Sequence, residues 1–222
     1  MRKFAIMEWT NNIQITNEDN MALMARYPDD HFDLAIVDPP YGIGAGVDNR
    51  QAIETKSGNN LRRLARKGGM KWDRSIPPKK YFEELIRVSK NQIIWGGNYF
   101  IEFLKNTRCL ICWDKMTYLP SMSQMEVAWT SFDEHTKYIK INSNQFGRIH
   151  ISQKPVALYK WILQNYAKEG DLILDTHLGS GSIAIACHHM GFDLVGCELD
   201  EEYYKAAHKR FKQQTAQMRL AI

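Results

Sequence analysis

Short apolar runs alternate with amphipathic stretches along most of the chain. Residues 34–37, Leu-Ala-Ile-Val, form an unbroken apolar run of the kind found in strands buried on both faces. Comparable runs at 13–16, 92–95, 108–113, 125–130, 172–174 and 194–197 predict further strands. Residues 138–141 either extend the sheet or form a small hairpin. Polar residues 17–20 offer a cap for a short helix at 21–27, which Pro28 stops. A proline-started helix is predicted within 75–90, with Phe82, Leu85 and Ile86 available to the core. Pro155 opens a helix on which Val156, Tyr159, Leu163 and Tyr166 share one stripe, and Gly170 stops it. Residues 182–190 are apolar all round, predicting a buried helix that Gly191 ends. A last helix opens on Asp200-Glu201-Glu202, acids placed where the helix dipole favours them. Its basic face, Lys205, Lys209, Arg210 and Lys212, reads as solvated. Strands alternating with helices predict an α/β fold with a mostly parallel sheet. No repeat or linker breaks the pattern, so residues 1–222 are read as one domain.

Residues 42–74 break the pattern. Six glycines are spread through them without a clear period, so they read as a long loop, and loops of that length tend to be functional or disordered. Charge then changes the picture. The net charge of +4 is mild, but residues 49–80 hold ten cations against two acids. That is +8 locally and −4 for the remainder, an asymmetry that points to a polyanionic partner. Arg50, Lys56, Arg62, Arg63, Arg66, Lys67 and Lys71 are the candidate nucleic-acid contacts. A solvated, partly disordered loop is the plainer reading.

Apolar and charged fractions of 44% and 24% are those of an ordinary globular protein. No stretch reaches the ~18 apolar residues of a membrane span, and the basic start lacks an apolar signal region. A cytosolic setting with four reduced cysteines is expected. Cys109 and Cys112 form a CxxC without a second pair, so they read as core thiols and no metal site is expected.

Two constellations carry chemistry. Asp38-Pro39-Pro40-Tyr41 ends the 34–37 run, where prolines cannot continue a sheet ladder and stiffen the turn. A carboxylate, bare carbonyls and a flat ring are thereby held at a strand's carboxyl end, where open α/β sheets bind ligands. A Pro-Pro turn followed by a packed tyrosine fits the tetrapeptide equally well. The second constellation, Asp175-Thr176-His177-Leu178-Gly179-Ser180-Gly181-Ser182, joins a strand to a helix, and Glu198 ends the next strand, placed for ribose hydroxyls. The three-glycine dinucleotide fingerprint and the GxxxxGK[ST] phosphate loop are both missing. A nucleoside cofactor without a phosphate chain therefore fits better than NAD or ATP, and an ordinary tight turn remains open.

Together the two constellations resemble the amino-methyltransferases that use S-adenosylmethionine, specifically the DNA adenine-N6 class. Asp38 to Tyr41 is similar to its [DNS]-P-P-[YFW] motif, and Asp175 to Ser182 to its cofactor motif. His150-Ile151-Ser152-Gln153-Lys154-Pro155 looks like its HPTQKP box. With the DPPY-like motif first, the order resembles the β group, a circular permutation of a Rossmann-like methyltransferase sheet carrying one antiparallel strand near its edge. The resemblance implies a single methyltransferase domain with the basic loop 42–74 and a minimal recognition region at about 131–149. Thr176, His177, Ile151 and Ser182 depart from the usual residues.

As implied by the resemblance, Asp38, Pro39, Pro40 and Tyr41 are catalytic. Asp38 and the Pro39 carbonyl accept the amino hydrogens, and the Tyr41 ring stacks on the base. The implied S-adenosylmethionine site comprises Asp19, Asp38, Ser152, Gln153, Lys154, Asp175, Thr176, His177, Gly179, Ser180, Gly181, Ser182, Glu198 and Leu199. Asp19 would take the adenine amino group and Lys154 the cofactor carboxylate. The expected partner is double-stranded DNA with a flipped adenine, in a bacterial or phage cytoplasm, with no membrane and with a homodimer left open. Alternatives are methylation of cytosine N4, of RNA or of protein glutamine, and a catalytically inactive nucleic-acid-binding subunit.

Overall fold

The computed structural model describes residues 7–44, 73–117, 123–144, 147–150 and 152–216. The candidate DNA contacts Arg50, Lys56, Arg62, Arg63, Arg66, Lys67 and Lys71 lie outside the described residues, as does Ile151 of the box. In chain order the strands are β1 (Met7–Thr10), β2 (Ile13–Thr16), β3 (Phe32–Val37), β4 (Ser89–Trp95), β5 (Leu110–Asp114), β6 (Met125–Thr130), β7 (Lys137–Lys140), β8 (Leu172–Asp175) and β9 (Asp193–Cys197). The helices are α1 (Asn20–Met24), α2 (Lys79–Val88), α3 (Val156–Tyr166), α4 (Ser182–Met190) and α5 (Glu201–Ala216), and one 3₁₀ turn spans Gly97–Tyr99.

All nine strands form one sheet in the order β1-β2-β9-β8-β3-β4-β6-β5-β7. Adjacent residues of a buried strand serve opposite faces. Ile36 and Ile93 join the core beneath α3, α4 and α5, whereas Val37 and Ile94 join the core beneath α1 and α2. That double burial is why these strands read as continuous apolar runs.

The mostly parallel α/β sheet stands as expected, with two additions. The antiparallel strand near the edge is β6, which pairs antiparallel with both β4 and β5. A second one, β1, pairs antiparallel with β2 and was not expected. Residues 138–141 resolve as β7, a parallel edge strand on β5, within the stretch anticipated for recognition.

Helix boundaries follow local chemistry. Asp19 caps α1 by accepting the Met21 and Ala22 N–H groups. Pro78 caps α2 instead of standing inside its first turn, so this helix is shorter than expected. Gly181 and Gly191 bracket α4, both in the left-handed region that favours glycine. Cys109 is buried and Cys112 partly so, both as free thiols. Among the described residues no helix is long and apolar enough to cross a membrane, and no group of three His, Cys, Asp or Glu could hold a metal.

Topology positions the site. From β8 the chain crosses over one face through α4, and from β3 it crosses the other through α2. The crossovers therefore diverge between neighbouring strands β8 and β3, and a crevice opens outside their carboxyl ends. Asp38, Asp175, Glu198 and Glu18 follow or end the parallel strands β3, β8, β9 and β2 along that rim. Because β6 runs the other way, its first residues share the rim.

Candidate active site

Beyond Val37, the Pro-Pro turn holds Asp38 with its side chain 17% exposed. The Tyr41 hydroxyl donates to Asp38 Oδ1 at 2.6 Å. Lys154 Nζ lies 2.6 Å from Asp38 Oδ2 and 3.1 Å from Glu126 Oε2, and donates to the Tyr41 hydroxyl at 3.3 Å. Its ammonium also sits 5.1 Å from the Trp95 ring centre, within cation–π range. Lys154 therefore meets the Asp38 carboxylate. Lys154, expected from the resemblance at the cofactor carboxylate, here forms an ion pair that joins the box to the DPPY turn.

The Tyr41 ring packs against the Gly96-Gly97 turn and stacks on Tyr99, with centroids 5.0 Å apart and planes 16° apart. Tyr99 is itself 40% exposed. The backbone beyond Tyr41 is clasped by Asp73, whose Oδ1 accepts the N–H groups of Tyr41 at 2.7 Å and Gly42 at 2.9 Å. Gly44 N donates to the Asp73 carbonyl at 2.9 Å. Asp73, counted in the sequence as an acid opposing the basic loop, is buried and shapes the turn instead.

Charge in this cluster is unevenly held. Burial pushes the Asp38 carboxyl upward more than Lys154 pulls it down, and Glu126 adds to the rise. Burial alone would raise Glu126 too, but Lys154 and Lys115 outweigh it and hold Glu126 below the ordinary glutamate range. Burial works against the Lys154 ammonium, yet Asp38 and Glu126 keep it above its usual range.

The turn at residues 175–182 stands across the crevice. Glu198 Oε2 accepts the Gly179 N–H at 2.8 Å, and Oε1 accepts the Asp200 N–H at 2.9 Å. A carboxylate has about four acceptor sites, so Glu198 keeps acceptor capacity for a ligand hydroxyl beyond these backbone bonds. A Cβ built on Gly179 would find no atom nearer than 3.9 Å, so the backbone is open to a close ligand there. Gly181 instead faces inward, 3.3 Å from the Ala207 Cβ by the same construction. Ser182 Oγ donates to the Lys154 carbonyl at 2.7 Å, and Arg210 Nη1 donates to the Ser180 carbonyl and to Ser182 Oγ. Arg210, assigned to a solvated basic face in the sequence, is buried and ties the turn to α5.

One cavity of about 780 Å³ runs between the two constellations. Of the expected site residues, Asp19, Asp38, Pro40, Ser152, Gln153, Lys154, Thr176, His177, Gly179, Ser180, Glu198 and Leu199 line it. Pro39, Tyr41, Asp175, Gly181 and Ser182 lie outside its lining. Asp175 is buried beneath, where it accepts the His177 N–H and burial pushes its carboxyl up to about 8. Asp19 spends Oδ1 on its helix cap, leaving Oδ2 for a ligand. Glu18 also lines the cavity, ion-paired to Arg26.

The lining suits S-adenosylmethionine. Asp19, Asp38, Glu198 and Asp200 outnumber the single cation Lys154, which favours a sulfonium over a polyphosphate. Met21, Ile76, Pro77, Pro78 and Leu178 supply an apolar wall for a purine. Sequence reasoning gave no role to Glu126, Lys115, Tyr99, Asp73 or Tyr81, since each meets its partners at the site only through tertiary packing.

His177 is a departure with a measurable consequence. Its Nε2 lies 3.0 Å from Asn20 Nδ2, and its Nδ1 lies 2.9 Å from Thr176 Oγ1. With the amide donating, the ring proton sits on Nδ1. Burial pushes its pKa down to about 3, from an ordinary value of 6.5. The unfolded chain therefore binds the extra proton first, so this stability is full above about pH 6.5 and is lost progressively toward pH 3. His177→Phe is expected to flatten the fall in Tm between pH 7.5 and 5. An unchanged slope would remove His177 as its source.

Residues 94–209 match the family model described as DNA methylase. The chain is 28% identical over 141 residues to the type II methyltransferase M2.DpnII of Streptococcus pneumoniae, covering 64% of this chain and 49% of that protein. It thus spans about half the length of such curated relatives. The M1.HpyAVI–SAM complex superposes with a TM-score of 0.58 at 19% identity, covering 89% of this chain and 99% of that one. The PvuII DNA methyltransferase, described as cytosine-N4-specific, gives 0.62 at 12% identity, covering 96% and 95%. At such identities these likenesses speak for the shared fold. With the family model spanning more than half of its length, the chain belongs to the DNA methylase family, whose methyl donor is S-adenosylmethionine.

Proposed function

We propose that this chain transfers a methyl group from S-adenosylmethionine to N6 of adenine in duplex DNA. The observation that carries the reading is Asp38: it lines the same cavity as Gly179 and Glu198 while its carboxylate is bonded to Tyr41. An adenine amino group is a poor nucleophile because its lone pair is delocalised into the ring. Asp38 and the Pro39 carbonyl accept its two hydrogens and favour a tetrahedral nitrogen. The Asp38 charge stabilises the positive charge that develops during transfer more than it stabilises the ground state. The bound cofactor supplies an electrophilic methyl on a sulfonium. Orientation does much of the remainder, an effect that can reach ~7–11 kcal/mol. Once methylated, the nitrogen is acidic and releases its proton without a strong base. Tyr41 supports the plane of the base.

A base inside a duplex must be flipped out at a cost of roughly a few kcal/mol. The cations of the basic loop are the candidates for offsetting this through phosphate contacts, which makes binding steeply salt-dependent. Gly44 and Asp73, hydrogen-bonded to one another beside Tyr41, are the points where that loop leaves and rejoins the site. Labelled-methyl transfer to duplex DNA and to RNA, followed by nucleoside analysis, tests the reading. N6-methyladenine from DNA is the expected product. N4-methylcytosine would reassign the acceptor, label only in RNA would reassign the substrate, and no label would favour a binding subunit.

A further inference from the structure

Asp38 shares its lysine with a second acid. Glu126 Oε2 lies 3.1 Å from Lys154 Nζ, and Glu126 Oε1 accepts from Lys115 Nζ at 3.0 Å. The side chains of Lys154 and Lys115 are 3% and 9% exposed, and that of Glu126 is 23% exposed. Two acids and two lysines make a set with no net charge. Without Glu126 the set would be one acid and two lysines, and would carry one positive charge. That charge would oppose the cation forming on the amino nitrogen.

We propose that Glu126 is a positioning residue for methyl transfer, holding Lys154 as a shared counter-ion so that Asp38 meets the amino nitrogen with its charge undiminished. The inference rests on the transfer reading above, since it concerns how Asp38 meets a developing cation. The sharing also provides for the proton. When an N–H bond of the methylated nitrogen breaks, its electron pair stays on nitrogen and the proton forms an O–H bond on Asp38. Lys154 then remains paired with Glu126 and is not stranded as a buried charge. Of the two acids Asp38 is the one raised, by burial and by Glu126, so the proton goes there.

The titratable groups whose charge is coupled to that of Asp38 are Tyr41 on its own turn, Tyr81 on α2, Glu126 on β6, Lys154 ahead of α3, Tyr159 on α3 and Asp175 on β8. Burial raises the three tyrosine hydroxyls, which stay neutral. Asp175 titrates near 8, so Glu126 is the acid in this group that lysines hold ionised.

Glu126→Gln and Glu126→Asp in the full chain test this with two readouts. The first is single-turnover methyl transfer as a function of pH. The second is the ¹³C NMR titration of the Asp38 carboxyl, which needs no turnover. In Glu126→Gln the transfer rate is expected to fall about 10–100-fold, the size of effect seen for groups that support a reacting residue, with the donor KM changed less than about threefold. Removing an anion makes Asp38 easier to ionise, so its midpoint and the acid limb of the rate profile should both move to lower pH. Glu126→Asp should restore most of both, and serves if the glutamine variant folds poorly. A rate loss with an unmoved Asp38 midpoint would make Glu126 a structural prop and overturn the proposal, as would an unchanged rate. A shifted midpoint in a protein that methylates nothing would instead sink the transfer reading and leave the charge coupling standing.

Discussion

Asp38→Ala should abolish methyl transfer and spare donor binding. The Asp38 carboxylate is the charged acceptor that the Pro-Pro turn presents to the cavity, and removing one preorganised electrostatic partner typically costs about 10²–10³ in rate. Asp38 combines that role with accepting an amino hydrogen, so a loss at the upper end or beyond is expected. Donor binding survives because Glu198, Gly179 and Asp19 stand on other strands and loops. Stability should fall by less than the ~3–5 kcal/mol of stranding a buried partner, because Glu126 still pairs with Lys154. Labelled-methyl transfer measures the first effect and calorimetry with S-adenosylmethionine the second. Normal turnover in this variant would end the mechanism.

Gly96→Ala should have the next largest effect, although the residue carries no chemistry. Gly96 has φ +70°, and a Cβ built there overlaps carbons of the Tyr41 ring. Left-handed backbone at a residue with a side chain costs of order 1–3 kcal/mol by itself. The overlap adds more, because the ring cannot retreat without leaving both Tyr99 and the Asp38 carboxylate. A displacement of about 1 Å at reacting groups is enough for ~10²-fold in rate. We expect a lowered Tm together with at least that loss of transfer. Tm and single-turnover rate measured on one preparation check both; a wild-type rate would show that transfer tolerates a displaced ring.

The elements that the sequence revealed are those whose cause is local. Leu34 to Val37 reads as a buried strand because both faces are covered, and the prolines after it leave one way for the strand to end. Ser182 to Met190 matched in both bounds because glycines flank an all-round apolar segment. Strand β1 was missed because Met7-Glu8-Trp9-Thr10 has neither a continuous apolar run nor a strong turn signal, and it depends on pairing with β2. Glu126 was invisible for a related reason. Within Met125–Thr130 it looks like an ordinary solvent-side residue, and only the antiparallel course of β6 brings it to the rim with Asp38. Lys154 was legible as part of a box, but its partners lie 116 positions back at Asp38 and 28 back at Glu126. Arg210 shared a charged helix with solvated lysines, and its burial under the cofactor turn follows from packing alone.

The clasp made by Asp73 on Tyr41, Gly42 and Gly44 bears on how the protein could be re-engineered or diversify. Gly44 and Asp73, which flank residues 45–72, are fastened to each other and to the turn that carries Asp38 and Tyr41. A segment whose ends are already joined adds little closure entropy when its length changes, because that cost grows only with the logarithm of length. The clasp fixes the backbone at Gly44 and Asp73 through contacts local to the turn, so Asp38 and Tyr41 are expected to keep their seats when the length of chain between those two residues is changed.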